Sequence, residues 1–123
     1  MPRKARAEVR KAIEKPGLSV DVGSRDVAEF HRLFAENKRK LGSPIFPSSL
    51  FWRVTEHLKD DCFILRVRHE GETVAAVMSF VHRDVIMPYY SGAVDRAQQL
   101  SANNLMYFAL MEEAARRGLK RFD

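Results

Sequence analysis

The sequence predicts a mixed α/β (α+β) sheet with helices on both faces, and three observations carry that prediction. Up to Leu58 the apolar residues recur mainly at helical spacing. From Cys62 the period drops to two, in three short segments separated by turn signals. A helical segment then divides the third of these from Leu119-Lys120-Arg121-Phe122-Asp123. A strand reached through a helix returns parallel to its neighbour. The expected sheet is therefore an antiparallel three-strand meander, a helix and a parallel strand. It is expected to be incomplete, because the sequence stops inside that strand.

Taken in order, residues 3–15 place Ala5, Val9, Ala12 and Ile13 on one helical face with basic residues around the rest, and Pro16-Gly17 ends this helix. Leu18, Val20 and Val22 alternate with Ser19 and Asp21, a short strand. Ser24 is the expected N-cap of a second helix whose Val27, Phe30, Phe34 and Leu41 face inward and which Gly42 closes. The segment Ser43-Pro44-Ile45-Phe46-Pro47 is a stiff extended loop with two apolar side chains to bury. Ser48 is the expected cap of a third helix with Leu50, Phe51, Val54 and Leu58 inward.

Phe63, Leu65 and Val67 alternate with Ile64, Arg66 and Arg68, which predicts a half-buried strand, and Glu70-Gly71 is a two-residue hairpin signal. Thr73 to Val81 is apolar almost throughout, as a central strand covered on both faces requires. Val85 to Tyr90 follows a turn at Arg83-Asp84, and Pro88, having no N–H, must break or bulge the pairing there. Ser101 is the expected N-cap of the last helix, apolar nearly all round in its first half. Glu112–Arg116 and Glu113–Arg117 are i,i+4 pairs that mark its exposed end, and Gly118 stops it.

At 123 residues and 46% hydrophobic, the chain has enough material for one core. No apolar run approaches the ~18 residues that span a bilayer, and no apolar segment follows the basic start as in a secretory signal. A single cysteine, Cys62, cannot form an internal disulfide, so a cytoplasmic setting is expected. The net charge of +5 suggests a nucleic-acid partner until it is located. Six basic residues within 1–15 stand against Glu8 and Glu14, so four of the five charges belong to one leading segment. Residues 1–16 are accordingly read as a basic leading helix and linker, and 17–123 as the domain proper.

The candidate site lies where the third strand gives way to the last helix. The free N–H groups of a helix start at Ser101-Ala102-Asn103-Asn104 can hold an anion or a developing oxyanion, and equally they can be satisfied by a plain capped turn. Tyr89 and Tyr90 end the preceding strand, and since neighbours point to opposite faces, at most one lines the site while the other packs. His31, His57, His69 and His82 lack ligand spacing, so no metal is expected. Cys62 has no cationic neighbour in sequence to make it a nucleophile, and no serine lies in a G-x-S-x-G context. Phosphate-binding glycine motifs are absent.

The order Tyr89-Tyr90-Ser91-Gly92-Ala93, a loop, Asn103-Asn104-Leu105-Met106-Tyr107, Met111-Glu112-Glu113-Ala114-Ala115, Gly118 and Phe122-Asp123 resembles the FemAB-like peptidyltransferases, a branch of the GNAT acyltransferase superfamily. Pro2-Arg3-Lys4-Ala5-Arg6 and Leu41-Gly42-Ser43-Pro44-Ile45-Phe46-Pro47 are similar to the branch associated with bacterial exopolysaccharide and exosortase systems. The resemblance implies a partial GNAT-like domain within a longer protein, and a piece that is inactive alone. It implies transfer of an acyl or aminoacyl group to an amine of a cell-envelope, peptidoglycan or polysaccharide precursor. The donor would be aminoacyl-tRNA or acetyl-CoA, with no tightly bound cofactor. The glycine-rich loop of ordinary acetyl-CoA enzymes is not visible between Gly92 and Asn103.

On this reading Tyr90 and Asp123 are the candidate catalytic residues, and Ser91, Gly92, Ser101, Asn103 and Asn104 the substrate-binding ones. Two other readings stand beside it. In one, a non-catalytic module holds RNA or an anionic glycan through the basic helix, and this gains if Arg66, Arg68 and Arg83 join that helix in one patch. In the other, an incomplete domain self-associates through its exposed edge strand.

Overall fold

The computed structural model describes residues 3–122. Along the chain run α1 (Arg3–Glu14), β1 (Leu18–Ser24), α2 (Val27–Leu41), α3 (Ser48–Leu58), β2 (Cys62–His69), β3 (Glu72–His82), β4 (Val85–Ala93), α4 (Ala102–Arg116) and β5 (Arg121–Phe122), with single turns of 3-10 helix at Lys59–Asp61 and Asp95–Ala97. The strands form one sheet in the order β1-β2-β3-β4-β5. The first three joins are antiparallel, and β5 is parallel to β4. The expected meander and crossover are thus present, and the stretch at Leu18 adds a fourth antiparallel strand at the edge.

Each face of the sheet has its own core. On one side Val9 and Ala12 of α1 and Leu105, Met106, Ala109 and Leu110 of α4 pack on Phe63, Leu65, Val67, Val74 and Val77. On the other, Val27, Phe30, Leu33 and Phe34 of α2 and Phe51 of α3 pack on Cys62, Ile64, Ala76 and Met78. Phe30, Phe34 and Phe51 are almost completely buried, each worth roughly 1.5–3 kcal/mol in area removed from water. Strand β2 was expected to be half-buried. Its first four residues are instead covered on both sides, because α2 and α3 fold back over the face that Cys62 and Ile64 present.

Three expected caps are corrected. Asp26, not Ser24, caps α2, accepting from the Glu29 amide at 3.0 Å, while Ser24 Oγ accepts from the Asp26 amide. Pro47 stands at the cap of α3 and Ser48 is its first residue, with no side-chain cap. Ser101 holds the cap position of α4 but its hydroxyl does not cap. Ile13, Leu41 and Leu58 are exposed rather than inward, since each lies at the end of a helix where the partner surface has run out. At the other end of α4, Arg116 pairs with Glu113 rather than Glu112, and Glu113 is buried.

Candidate acyl-transfer site

The site is built around an irregularity in β4. Met78 stands opposite Tyr90 and Ser79 opposite Pro88, so Tyr89 has no partner on β3. Pro88 cannot donate to the ladder, and the strand absorbs this with a bulge of one residue. The bulge pushes Tyr89 outward, where it is 66% exposed. Tyr90 turns inward, and its ring meets Phe34, Phe46, Phe51 and Phe80 at centroid distances of 5.7, 6.0, 5.0 and 6.0 Å. Burial, and then the neighbouring Tyr89, raise the Tyr90 phenol above its usual range. It therefore stays protonated at neutral pH.

The wall facing Tyr90 comes from the loop between α2 and α3. His31 Nε2 lies 2.8 Å from the Phe46 carbonyl oxygen, which ties that loop to α2. The sequence marked Ile45 and Phe46 as apolar side chains to bury; both remain exposed, Phe46 covered only on the side where it meets Phe34 and Tyr90, and no local rule could pair it with His31 or Tyr90. Among the described residues β5 pairs with β4 only at Val85 and Ile86, ahead of the bulge. A cavity of about 520 Å³ lined by His82, Val85, Met87, Arg121 and Phe122 opens beside that join.

The residues expected to form one site divide between the two faces. Ser91 pairs with Val77 and so shares the face covered by α1 and α4. Gly92 is buried against α2, and a Cβ there would lie 2.8 Å from Leu33 C and O and Phe34 N. The requirement for glycine at 92 is thus explained by helix packing. Ser101 is buried, and its hydroxyl donates to Glu8 Oε2 of α1. Asn103 is exposed and Asn104 half-buried. Tyr90 lies on the α2–α3 face, so its side chain and that of Ser101 do not converge. What they share is the chain between them, the backbone of β4 running into the start of α4. Asp123 lies outside the described residues.

Other chemistry is placed elsewhere. Burial raises the Cys62 thiol to about 11, so it remains protonated in the core. Among the described residues no cluster of His, Cys, Asp and Glu is arranged to hold a metal ion, and no helix is long and apolar enough to cross a membrane. Arg66 does not join α1 in one basic patch. It faces α2, bound to Asp21 at 2.6 Å and Glu29 at 2.9 Å, on the face opposite α1.

A mixed sheet with helices on both faces, a bulge in β4 and, beyond a turn of 3-10 helix, a long helix that leads to a parallel strand is the arrangement of the GNAT acyltransferase fold. The chain belongs to that family: it matches the acetyltransferase (GNAT) domain over residues 2–123. None of the curated protein sequences compared with it matches. Among solved structures it is similar to FemX, at a TM-score of 0.86 and 12% identity, covering 94% of this chain and 46% of that one. It is similar to an aminoglycoside acetyltransferase from an uncultured soil metagenomic sample, at 0.69 and 13%, covering 87% and 76%. The ribosomal-protein-S18-alanine N-acetyltransferase from Escherichia coli gives 0.69 and 11%, covering 83% and 62%. These likenesses show a shared fold, and the chain spans less than half the length of FemX.

Proposed function

We propose that this chain supplies the donor-binding part of a FemAB-like acyl or aminoacyl transferase, which moves its acyl group to an amine of a cell-envelope or exopolysaccharide precursor. The observation that carries the reading is the bulge at Tyr89. It withdraws Tyr89 from its pairing with β3, beside a protonated tyrosine, so that on this reading its backbone N–H is free to meet a substrate. Such groups stabilise the oxyanion that forms when an amine attacks the acyl carbonyl. The new C–N bond forms as the C–S bond of a thioester or the C–O bond of an aminoacyl ester breaks. The amine's proton passes to solvent or a base, and the Tyr90 phenol donates to the departing thiolate or ribose oxygen. Asn103 and Asn104 line the donor's approach on this reading. The donor, acetyl-CoA or aminoacyl-tRNA, comes and goes as a substrate. The aromatic wall of Phe46, Tyr89 and Tyr90 favours an acceptor with an apolar or sugar face.

The test is transfer of radiolabelled acetyl groups from acetyl-CoA, and of labelled amino acids from aminoacyl-tRNA, to a panel of amino sugars and peptidoglycan-precursor amines. It uses this chain and, in parallel, any longer natural protein that contains it. Tyr90→Phe should lower turnover with little change in melting temperature, because only a hydroxyl is lost. Transfer from neither donor to any amine, or full activity in Tyr90→Phe, would remove the mechanism.

A further inference from the structure

Helix α1 turns its small apolar residues, Val9 and Ala12, into the core, so its outer side is left to charge. Arg3, Arg6, Arg10 and Ile13 fall at i, i+3, i+7 and i+10, which sets them in one ridge along the helix, and all four are exposed. Lys4 and Lys11 are exposed on one flank of that ridge. The ridge runs out on an apolar groove. Ile13, which is 60% exposed, lines it with Val20 and Val22 of β1, themselves 37% and 41% exposed, over a floor of Leu105, Phe108 and Ala109. The groove has a volume of about 480 Å³. Carboxylates lie nearby but leave the ridge positive. Glu8 turns inward to Ser101 with Lys11 beside it, Glu14 follows Ile13, and Glu112 lines the groove. Glu113, at the same groove, is buried and held by Arg116 and Arg117.

We propose that this face docks the domain on an anionic phospholipid surface, the arginine ridge lying on the headgroup phosphates and Ile13, Val20 and Val22 reaching into the acyl boundary. An exposed apolar patch bordered by cations is the surface that fits such a bilayer. Each cation held against an anionic leaflet strengthens binding about fivefold, and the aliphatic contact adds the second signal that stable attachment takes. Nucleic acid shares the attraction to the arginines but gains nothing from two valines and an isoleucine, since its bases need rings to stack on. On the transfer reading above, which supplies the purpose but not the surface, the docked domain meets acceptors that are themselves held in a membrane.

The experiment mixes the full chain with vesicles of phosphatidylcholine alone, or of phosphatidylcholine and phosphatidylglycerol in equal parts. The bound fraction is read by flotation at low and high salt, and affinity for polyuridylate RNA is measured in parallel by fluorescence anisotropy. No donor or acceptor is present, so the result stands apart from transfer activity. The wild type should bind the mixed vesicles, leave the neutral ones and come off as salt rises. Arg3→Gln/Arg10→Gln should weaken vesicle binding by about 25-fold, fivefold for each cation. Ile13→Ser/Val22→Ser should weaken vesicle binding several-fold while leaving RNA affinity unchanged. Melting temperatures check that the variants fold, and Ile13→Ser alone, at the most exposed position, replaces the pair if the pair is destabilised. No binding to the mixed vesicles, or equal binding to the neutral ones, would overturn the proposal. Binding of RNA without vesicles, or vesicle binding indifferent to the loss of Ile13 and Val22, would overturn it too, and would reduce the face to a simple polyanion contact.

Discussion

Gly92 sits where the sheet and α2 come closest. Its missing side chain leaves room for the backbone of Leu33 and Phe34, and any Cβ would meet main-chain atoms, not a flexible tip that can move aside. Gly92→Ala should therefore destabilise the fold by roughly 1–3 kcal/mol, the usual penalty for overpacking, read as a lower urea midpoint at unchanged slope. If the substitution is neutral, α2 is less closely seated than described. The sequence placed Gly92 next to the bulge but could not show the helix lying above it, because Leu33 and Phe34 are remote in the chain. Tyr90 differs. Adjacent strand residues ordinarily face opposite ways, but across the bulge the Tyr89 and Tyr90 rings lie 5.2 Å apart, both against Phe80, and only one of them is covered. The rings of Phe34, Phe46 and Phe51 decided which.

At the scale of elements, α4 shows how a surface pattern becomes a buried one. The i,i+4 spacing of Glu113 and Arg117 was legible, and it reads as a solvated pair. In the structure Glu113 is 7% exposed, accepts from Arg116 Nε at 2.7 Å and from Arg117 Nε at 2.9 Å, and Arg117 lies over the Phe63 ring at 4.2 Å. Hydrogen bonding from Arg116, and next from Arg117, outweighs burial and lowers the Glu113 carboxyl to about 2. A group depressed in the folded state contributes stability that is fully present above its unfolded value, near 4.5, and lost as pH falls towards about 2. The melting temperature should thus drop across that window, and Glu113→Gln should flatten the drop while lowering stability at neutral pH. Equal acid sensitivity in the variant would show that other carboxylates carry the effect.

For the whole molecule the open question is whether α1 is an appendage or a layer of the domain. Charge alone set residues 1–16 apart. Yet Val9 and Ala12 share one core with β2, β3 and α4, and Glu8 and Lys15 grip the loop before α4. A chain beginning at Gly17 should therefore lose at least the ~1.5–3 kcal/mol of burying one valine, and its melting temperature should fall accordingly. Unchanged stability would return α1 to the role of a leading segment, and any nucleic-acid affinity that then disappeared, with a steep salt dependence, would belong to that segment alone. The division of charge supports the first outcome, since the basic residues of α1 line its outer side while its small apolar residues face α4.

The strands, the helices, the bulge at Pro88 and the parallel return of β5 were all determined by the sequence itself, because each follows from periodicity or from the chemistry of one residue and its immediate neighbours. The hydroxyl of Ser101 was not. Local rules give a serine before a helix the task of capping it, yet its partner is Glu8, 93 residues away. The two-sided cover of β2, the inward turn of Tyr90 and the tie from His31 to Phe46 were decided in the same way. A side chain's period says which face it occupies, but only the docking of remote segments settles which polar or aromatic groups will be waiting there.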